Sequence, residues 1–284
     1  MSSTTPVGTQ PEKSKHDLRR GLAQRFRLES TLTYGIVWVT VIAVFVASRV
    51  SDSFLSTTNL QNVLVQNAPL ALVALGMTFV MIAGGFDLSS GALVGACSVV
   101  AASLANSHSA TFAVVATISV GTLAGLINGL LVTVVHINGF VATLAPGSIF
   151  TGLAFLYVGS TTIFIDNESF NSIGLSSFLG IQTVVYIVVG LYIVGGLLLA
   201  KTVFGRTLYA VGGNAVSARL AGLRVDATKT LTFVIVGAAA GAGGTIFAAL
   251  LTSAQPNTGA TITLDAITVV IIGGTSMFGG SEAV

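Results

Sequence analysis

Charge is scarce in this chain. Asp, Glu, Lys and Arg make up 8% of its 284 residues, whereas a soluble domain carries about 25%. Hydrophobic residues supply 53% and the mean hydropathy is +0.91. So few charges cannot cover a water-facing surface, so lipid is the solvent. Cysteine is nearly absent. Cys97 alone excludes an internal disulfide or a multi-cysteine metal site, and within its apolar run it reads as a small packing residue. His16, His108 and His136 are scattered without ligand spacing, and no serine, histidine and acid trio stands out. The glycine-rich stretches 241–245 and 273–280 lack the lysine that a phosphate-binding loop requires. The expectation is a chain that is not an enzyme, with no catalytic, cofactor or metal site of its own; any ATP it uses is bound by another chain.

The charge that is present is clustered. Of twelve Lys and Arg residues, six lie in the amino-terminal tail (Lys13, Lys15, Arg19, Arg20, Arg25, Arg27). Five lie between Lys201 and Lys229 (with Arg206, Arg219 and Arg224) and the last is Arg49. Basic residues mark cytoplasmic loops, so both clusters are expected there. No aromatic-basic face accompanies them, which argues against nucleic acid. Residues 1–33 read as a cytoplasmic basic tail. Within it Asp17–Glu29 spaces Leu18, Leu22 and Phe26 by four, which fits either a surface amphipathic helix or an irregular tail that fixes orientation. Tyr34–Val50 has no small-residue cleavage site after it and reads as a first anchor rather than a signal peptide.

Apolar runs of spanning length follow: Asn62–Gly84, Leu88–Ala105, Thr111–Val135, Gly139–Val158, Val184–Ala200, Leu231–Thr252 and Asp265–Gly280. With Tyr34–Val50 they make about eight spans in an all-α polytopic bundle. Pro69, Gly84 and Gly85 admit broken or re-entrant helices between Asn62 and Ala105. Six crossings from a cytoplasmic start return the chain to the cytoplasm at Lys201, where the second basic cluster stands. The loop 159–183 then lies outside, and it holds Asp166 and Glu168 but no Lys or Arg.

Glycines recur at four-residue spacing: Gly121, Gly125 and Gly129, then Gly91 with Gly95 and Gly237 with Gly241. In lipid such faces let helix backbones approach closely. Polar residues inside apolar runs need a reason, because an ionised Asp at a helix centre costs about 2.5–3.5 kcal/mol on insertion scales. Asp87, after Gly84-Gly85-Phe86, is expected either to cap the next helix or to shape a gate where two helices break. Asn67 is a candidate pathway residue. Asn128 reads as interhelical glue and Asp265 as a helix-start residue.

The loop from Lys201 to Lys229 is too ordered in pattern for a bland connection. Asn214 is a good N-cap, residues 215–221 favour helix, and Gly222 is a good stop. Three passages carry a resemblance: Gly76 to Gly91; the loop from Gly205-Arg206 through Gly212-Gly213-Asn214 to Gly222; and Ser253-Ala254-Gln255-Pro256 through Leu264-Asp265-Ala266-Ile267 to Gly273–Gly280. In these the chain, from about residue 35 to its end, resembles permease subunits of bacterial ABC sugar importers of the ribose/xylose/galactoside branch. The resemblance implies a multi-pass inner-membrane protein over residues 34–284 and a second permease copy. It also implies an ABC ATPase that binds ATP and Mg, and a periplasmic or lipid-anchored sugar-binding protein. A short coupling helix of Ala-xxx-Gly pattern would seat on the ATPase; Ala218 and Gly222 fit, with Asn214 and Arg219 beside them. Arg49, Asp166 and Glu168 are candidate docking residues for the binding protein. The family continues beyond the third passage for about two further helices. An ion-gradient carrier, and a nucleoside or signalling furanose as cargo, remain open at this stage.

Overall fold

The computed structural model describes residues 35, 37–276, 279 and 280; the basic tail and its Asp17–Glu29 segment lie outside them. The described chain divides into two units, one ending at Leu60 and one beginning at Gln61. The first contains α1 (Val37–Val50), whose apolar side chains, Trp38 and Phe45 among them, are exposed.

The helices that follow are α2 (Thr57–Gln66), α3 (Ala68–Ile82), α4 (Ser90–Ser107), α5 (Ala110–Thr133), α6 (Gly139–Val158) and α7 (Glu168–Leu175). They continue with α8 (Thr183–Lys201), α9 (Val203–Gly213), α10 (Ala215–Leu220), α11 (Val225–Leu251) and α12 (Ile262–Ile272). Among the described residues α4, α5, α6, α8 and α11 are each long and apolar enough to cross a membrane. Each predicted run contains a helix, but three runs are corrected. Asn62–Gly84 is two helices, α2 and α3, bent by 50° where Pro69 enters the first turn of α3. The seventh run begins at Val225, not Leu231, so helix occupies most of the 201–229 loop. The eighth stops at Ile272, because Gly273-Gly274 turns the chain, with Gly274 at φ +96.

Helix α11 is the axis of the second unit and packs on α5, α3 and α4. The contact with α5 is backbone on backbone. A methyl group added to Gly121 would overlap the Gly237 carbonyl oxygen, and one on Gly125 would overlap that of Phe233. Thr230 closes the same seam against Gly129. The glycine spacing is therefore structural, as the sequence suggests. By contrast α8 is mostly exposed along its apolar length and offers a lipid-facing surface. At one end of the bundle β1 (Ile163–Phe164) pairs antiparallel with β4 (Ser253–Ala254), beside α7. Helices α9 and α10 occupy the opposite end.

Between β4 and α12 the chain is unwound. Residues 255–261 hold only local turns, in which Thr258 N donates to Gln255 O (3.2 Å) and Ala260 N to Asn257 O (3.1 Å). Pro256 and Gly259 press on Gly95 and Gly91 of α4, so the second glycine pair receives this irregular strap. Unwound backbone inside a bundle is tolerated where protein or a cavity satisfies it.

Candidate functional site

The α9–α10 end is tightly built. Asn214 ends α9 by donating its N–H to Ala210 O and starts α10 by accepting from Ser217 N at 2.9 Å. Gly222, at φ +81, closes α10 with a paired stop in which Gly222 N donates to Arg219 O and Leu223 N to Ala218 O, both at 3.0 Å. The two sequence-predicted caps are therefore where they were expected. One other feature differs from the expectation. Ala218 is buried against Val211 and Val225, so it faces inward. Gly222 has open space where a side chain would stand, so backbone conformation, rather than close seating within the chain, requires glycine there. The outward apolar side chains are Val216 and Leu220, 70% and 85% exposed. They stand four apart on one helical face, a signal the sequence carried and the motif obscured. Arg219 Nη2 pairs with Asp226 Oδ1 at 2.7 Å, both well exposed, and such a pair contributes under about 1 kcal/mol.

Three segments far apart in sequence meet at this end through glycine. The α3 terminus closes at Gly84 (φ +75), whose N–H donates to Met81 O, while Gly85 N donates to Val80 O. Gly280 N donates to Ile82 O at 3.1 Å. A methyl on Gly212 would overlap that same Ile82 carbonyl and lie 2.8 Å from Gly280 N. One on Gly279 would lie 2.8 Å from Gly84 Cα. The three passages that carry the resemblance converge here.

Beyond Gly84-Gly85 the break before α4 is polar and buried. Asp87 is 1% exposed. Its Oδ1 accepts from Ser89 N (2.8 Å) and Ser89 Oγ (2.6 Å), and Asn128 Nδ2 donates to Ser89 Oγ (2.7 Å). Asp87 is thus not the N-cap of α4; that position is Ser89, whose side chain makes no cap bond. Helix α12 supplies an acceptor to the start of α4, and α6 one to the segment just before it. Thr143 Oγ1 accepts from Leu88 N at 3.0 Å, and Thr263 Oγ1 accepts from Gly91 N at 2.7 Å. Asn128 is interhelical glue as predicted, with Oδ1 buried and unpartnered. The threonines were missed because isolated Thr in an apolar run gives no positional signal.

The other predicted residues do not join this cluster. Asn67 is exposed at the α2–α3 bend and donates to Val63 O (2.8 Å); a nearby cavity of about 540 Å³ is bordered by Gln66 and Gln182 instead. Asp166 and Glu168 are exposed beside β1 and on the first turn of α7, at the end opposite α9–α10. Arg49 lies in the first unit, its guanidinium 5.9 Å from the Phe45 ring centroid. Among the described residues no group of His, Cys, Asp or Glu is placed to hold a metal ion.

A helical bundle with five helices of spanning length among the described residues, a broken helix pair and a buried polar break defines a polytopic membrane protein. The chain belongs to the family described as the permease component of the branched-chain amino acid transport system, which it matches over residues 59–281. It is 38% identical over 242 residues to the ribose import permease protein of Bacillus subtilis, covering 84% of this chain and 75% of that one. The ribose import permease protein of Haemophilus influenzae is 35% identical over 249 residues, 86% of this chain and 77% of its own length. The L-arabinose transport system permease protein of Escherichia coli is 33% identical over 260 residues, 89% and 79%. No solved structure matches the chain.

Proposed function

We propose that this chain forms the membrane pathway of an ATP-driven importer for a neutral monosaccharide, with the α9–α10 end in the cytoplasm. Likeness to ribose and arabinose permeases supports the sugar class. Lys201, Arg206, Arg219, Arg224 and Lys229 all stand at the α9–α10 end, which supports the orientation. The observation that carries the reading is the exposed pair Val216 and Leu220 on a doubly capped short helix. Rigid apolar side chains in the basic loop are what a partner's groove would hold. The partner is an ATPase subunit, and ATP and Mg belong to it. A sugar-binding protein would dock at the β1–β4 end, where Asp166 and Glu168 are accessible.

The buried Ala218 then anchors α10 to α9 and α11, so that force on Leu220 reaches the axis helix directly. The glycine junction Gly84–Gly212–Gly280 passes the same displacement to the break at Asp87, which acts as the gate. The test is affinity purification of the tagged, complete protein from its native membrane, with ATP-dependent uptake of labelled ribose and arabinose. Leu220→Asp is expected to lose the co-purifying ATPase and about 30-fold of uptake, the effect of one interface anchor. Undiminished uptake in that variant would refute the coupling assignment. Wild-type uptake that needs no ATPase and collapses with a proton uncoupler would replace the importer with a carrier.

A further inference from the structure

Helix α12 places Ala266 and Val270 in the same apolar core as Val73, Ala74, Met77, Leu93, Val94 and Ala240. Val73, Ala74 and Met77 lie in the interior of α3 and Ala240 in that of α11, while Leu93 and Val94 lie at the start of α4, so α12 sits at the depth of the hydrocarbon region rather than at either end. Its opposite side is exposed and mixed, with Leu264, Val269 and Ile272 standing beside three polar residues. Thr261, Asp265 and Thr268 follow at steps of four and three, one helical face, and all three are exposed. Asn257, in the unwound strap just before, is exposed too. Asp265 makes no ion pair among the described residues. A carboxylate facing acyl chains at this depth is strongly unfavourable, and such groups face water-filled cavities or other protein. Exposed strap backbone has the same requirement, since lipid cannot satisfy it.

We infer that the Asn257–Thr261–Asp265–Thr268 face lines an aqueous path through the membrane, and that Asp265 accepts hydrogen bonds there from the hydroxyls of a neutral polyhydroxylated solute. The inference about the solute rests on the importer reading; the inference about water does not. A carboxylate offers acceptors only, and a sugar offers several donors in a small volume. Thr261 and Thr268 flank it as weaker donor–acceptors. The opposite buried face meets Ser90 and Gly91 through Thr263, so occupancy of this face is one helix thickness away from the polar break.

The test uses the complete transporter in inside-out and right-side-out native membrane vesicles. Thr261, Asp265 and Thr268 are replaced singly by Cys and treated with a charged, membrane-impermeant methanethiosulfonate. Val189→Cys and Ile193→Cys on the exposed surface of α8 are the lipid-facing controls, and the fully buried Cys97 gives a silent background. Reaction at the α12 positions should exceed the controls by about tenfold, because only a hydrated thiol ionises and reacts. Equal rates would overturn the aqueous path. Asp265→Leu should lower ATP-dependent ribose or arabinose uptake about tenfold while ATPase co-purification is unchanged, and Asp265→Asn should raise KM with a smaller loss of maximal rate. Unchanged uptake in Asp265→Leu would overturn the role of the carboxylate. Absence of ATP-dependent sugar uptake in the wild type would refute the importer reading, and the thiol rates would still decide whether the face is wet.

Discussion

Gly212 and Gly213 are adjacent, chemically identical and placed in opposite surroundings, which allows a controlled test of the glycine junction. A methyl group on Gly212 meets the Ile82 carbonyl oxygen at overlapping distance and Gly280 N at 2.8 Å, while one on Gly213 meets nothing within 4 Å. Neither glycine has positive φ, so alanine is acceptable to the backbone at both. Relief at position 212 requires α9 to move from the end of α3 by roughly an ångström, since the opposing atoms are backbone and cannot rotate away. Overpacking of this kind costs about 1–3 kcal/mol. At position 213, near the end of α9, alanine gains up to about 1 kcal/mol in helix propensity. The two single substitutions should therefore differ in sign. Thermal unfolding of purified protein in detergent, followed by size-exclusion recovery after heating, measures this directly. Gly212→Ala should fall below wild type by several degrees, and Gly213→Ala should match or exceed it. Equal behaviour of the two variants would refute the close approach of α9 to α3.

Four further outcomes are expected. Thr263→Val keeps shape but leaves Gly91 N–H without its acceptor, so stability should fall by about 1–3 kcal/mol in denaturation measurements. Asn214→Ala removes the α10 cap and should cost about 0.5–2 kcal/mol, with increased hydrogen exchange confined to residues 214–222. Arg219→Ala should change stability by less than about 1 kcal/mol, because its pair with Asp226 is exposed. In a Cys97→Ser background, Ser172→Cys should react with an impermeant thiol reagent in intact cells and Ser217→Cys should not; the reverse pattern would invert the orientation.

The spans were legible because lipid imposes one rule, a long apolar run, on every crossing helix. Glycine faces were legible for the same reason: Gly121, Gly125 and Gly129 fall on one face whatever lies opposite. The interruptions were harder to read. The sequence offers Pro69 as a breaker, yet the 50° bend falls between α2 and α3 because Asn67 leaves the helix and Pro69 begins the next. Asp87 was read as a cap or a gate; its contact with Ser89 is local, but the link from Ser89 to Asn128 is set by tertiary packing. Thr263 caps a helix to which it does not belong, Thr143 takes the Leu88 N–H just before that helix, and no local spacing announces either. Ala218 was placed in a motif expected to seat on a partner, while its burial depends on where α11 starts.

Along the α5–α11 seam, the atoms that an added methyl at Gly121 or Gly125 would strike are carbonyl oxygens and Cα atoms of the facing helix. That has a genetic consequence. A clash between two side chains can be repaired by shrinking the other one, so paired substitutions can drift together through time. A clash with main chain has no smaller alternative to mutate to. Revertants of a bulky residue at Gly121 or Gly125 should therefore restore glycine at the original codon, and searches for second-site suppressors on α11 should come back empty.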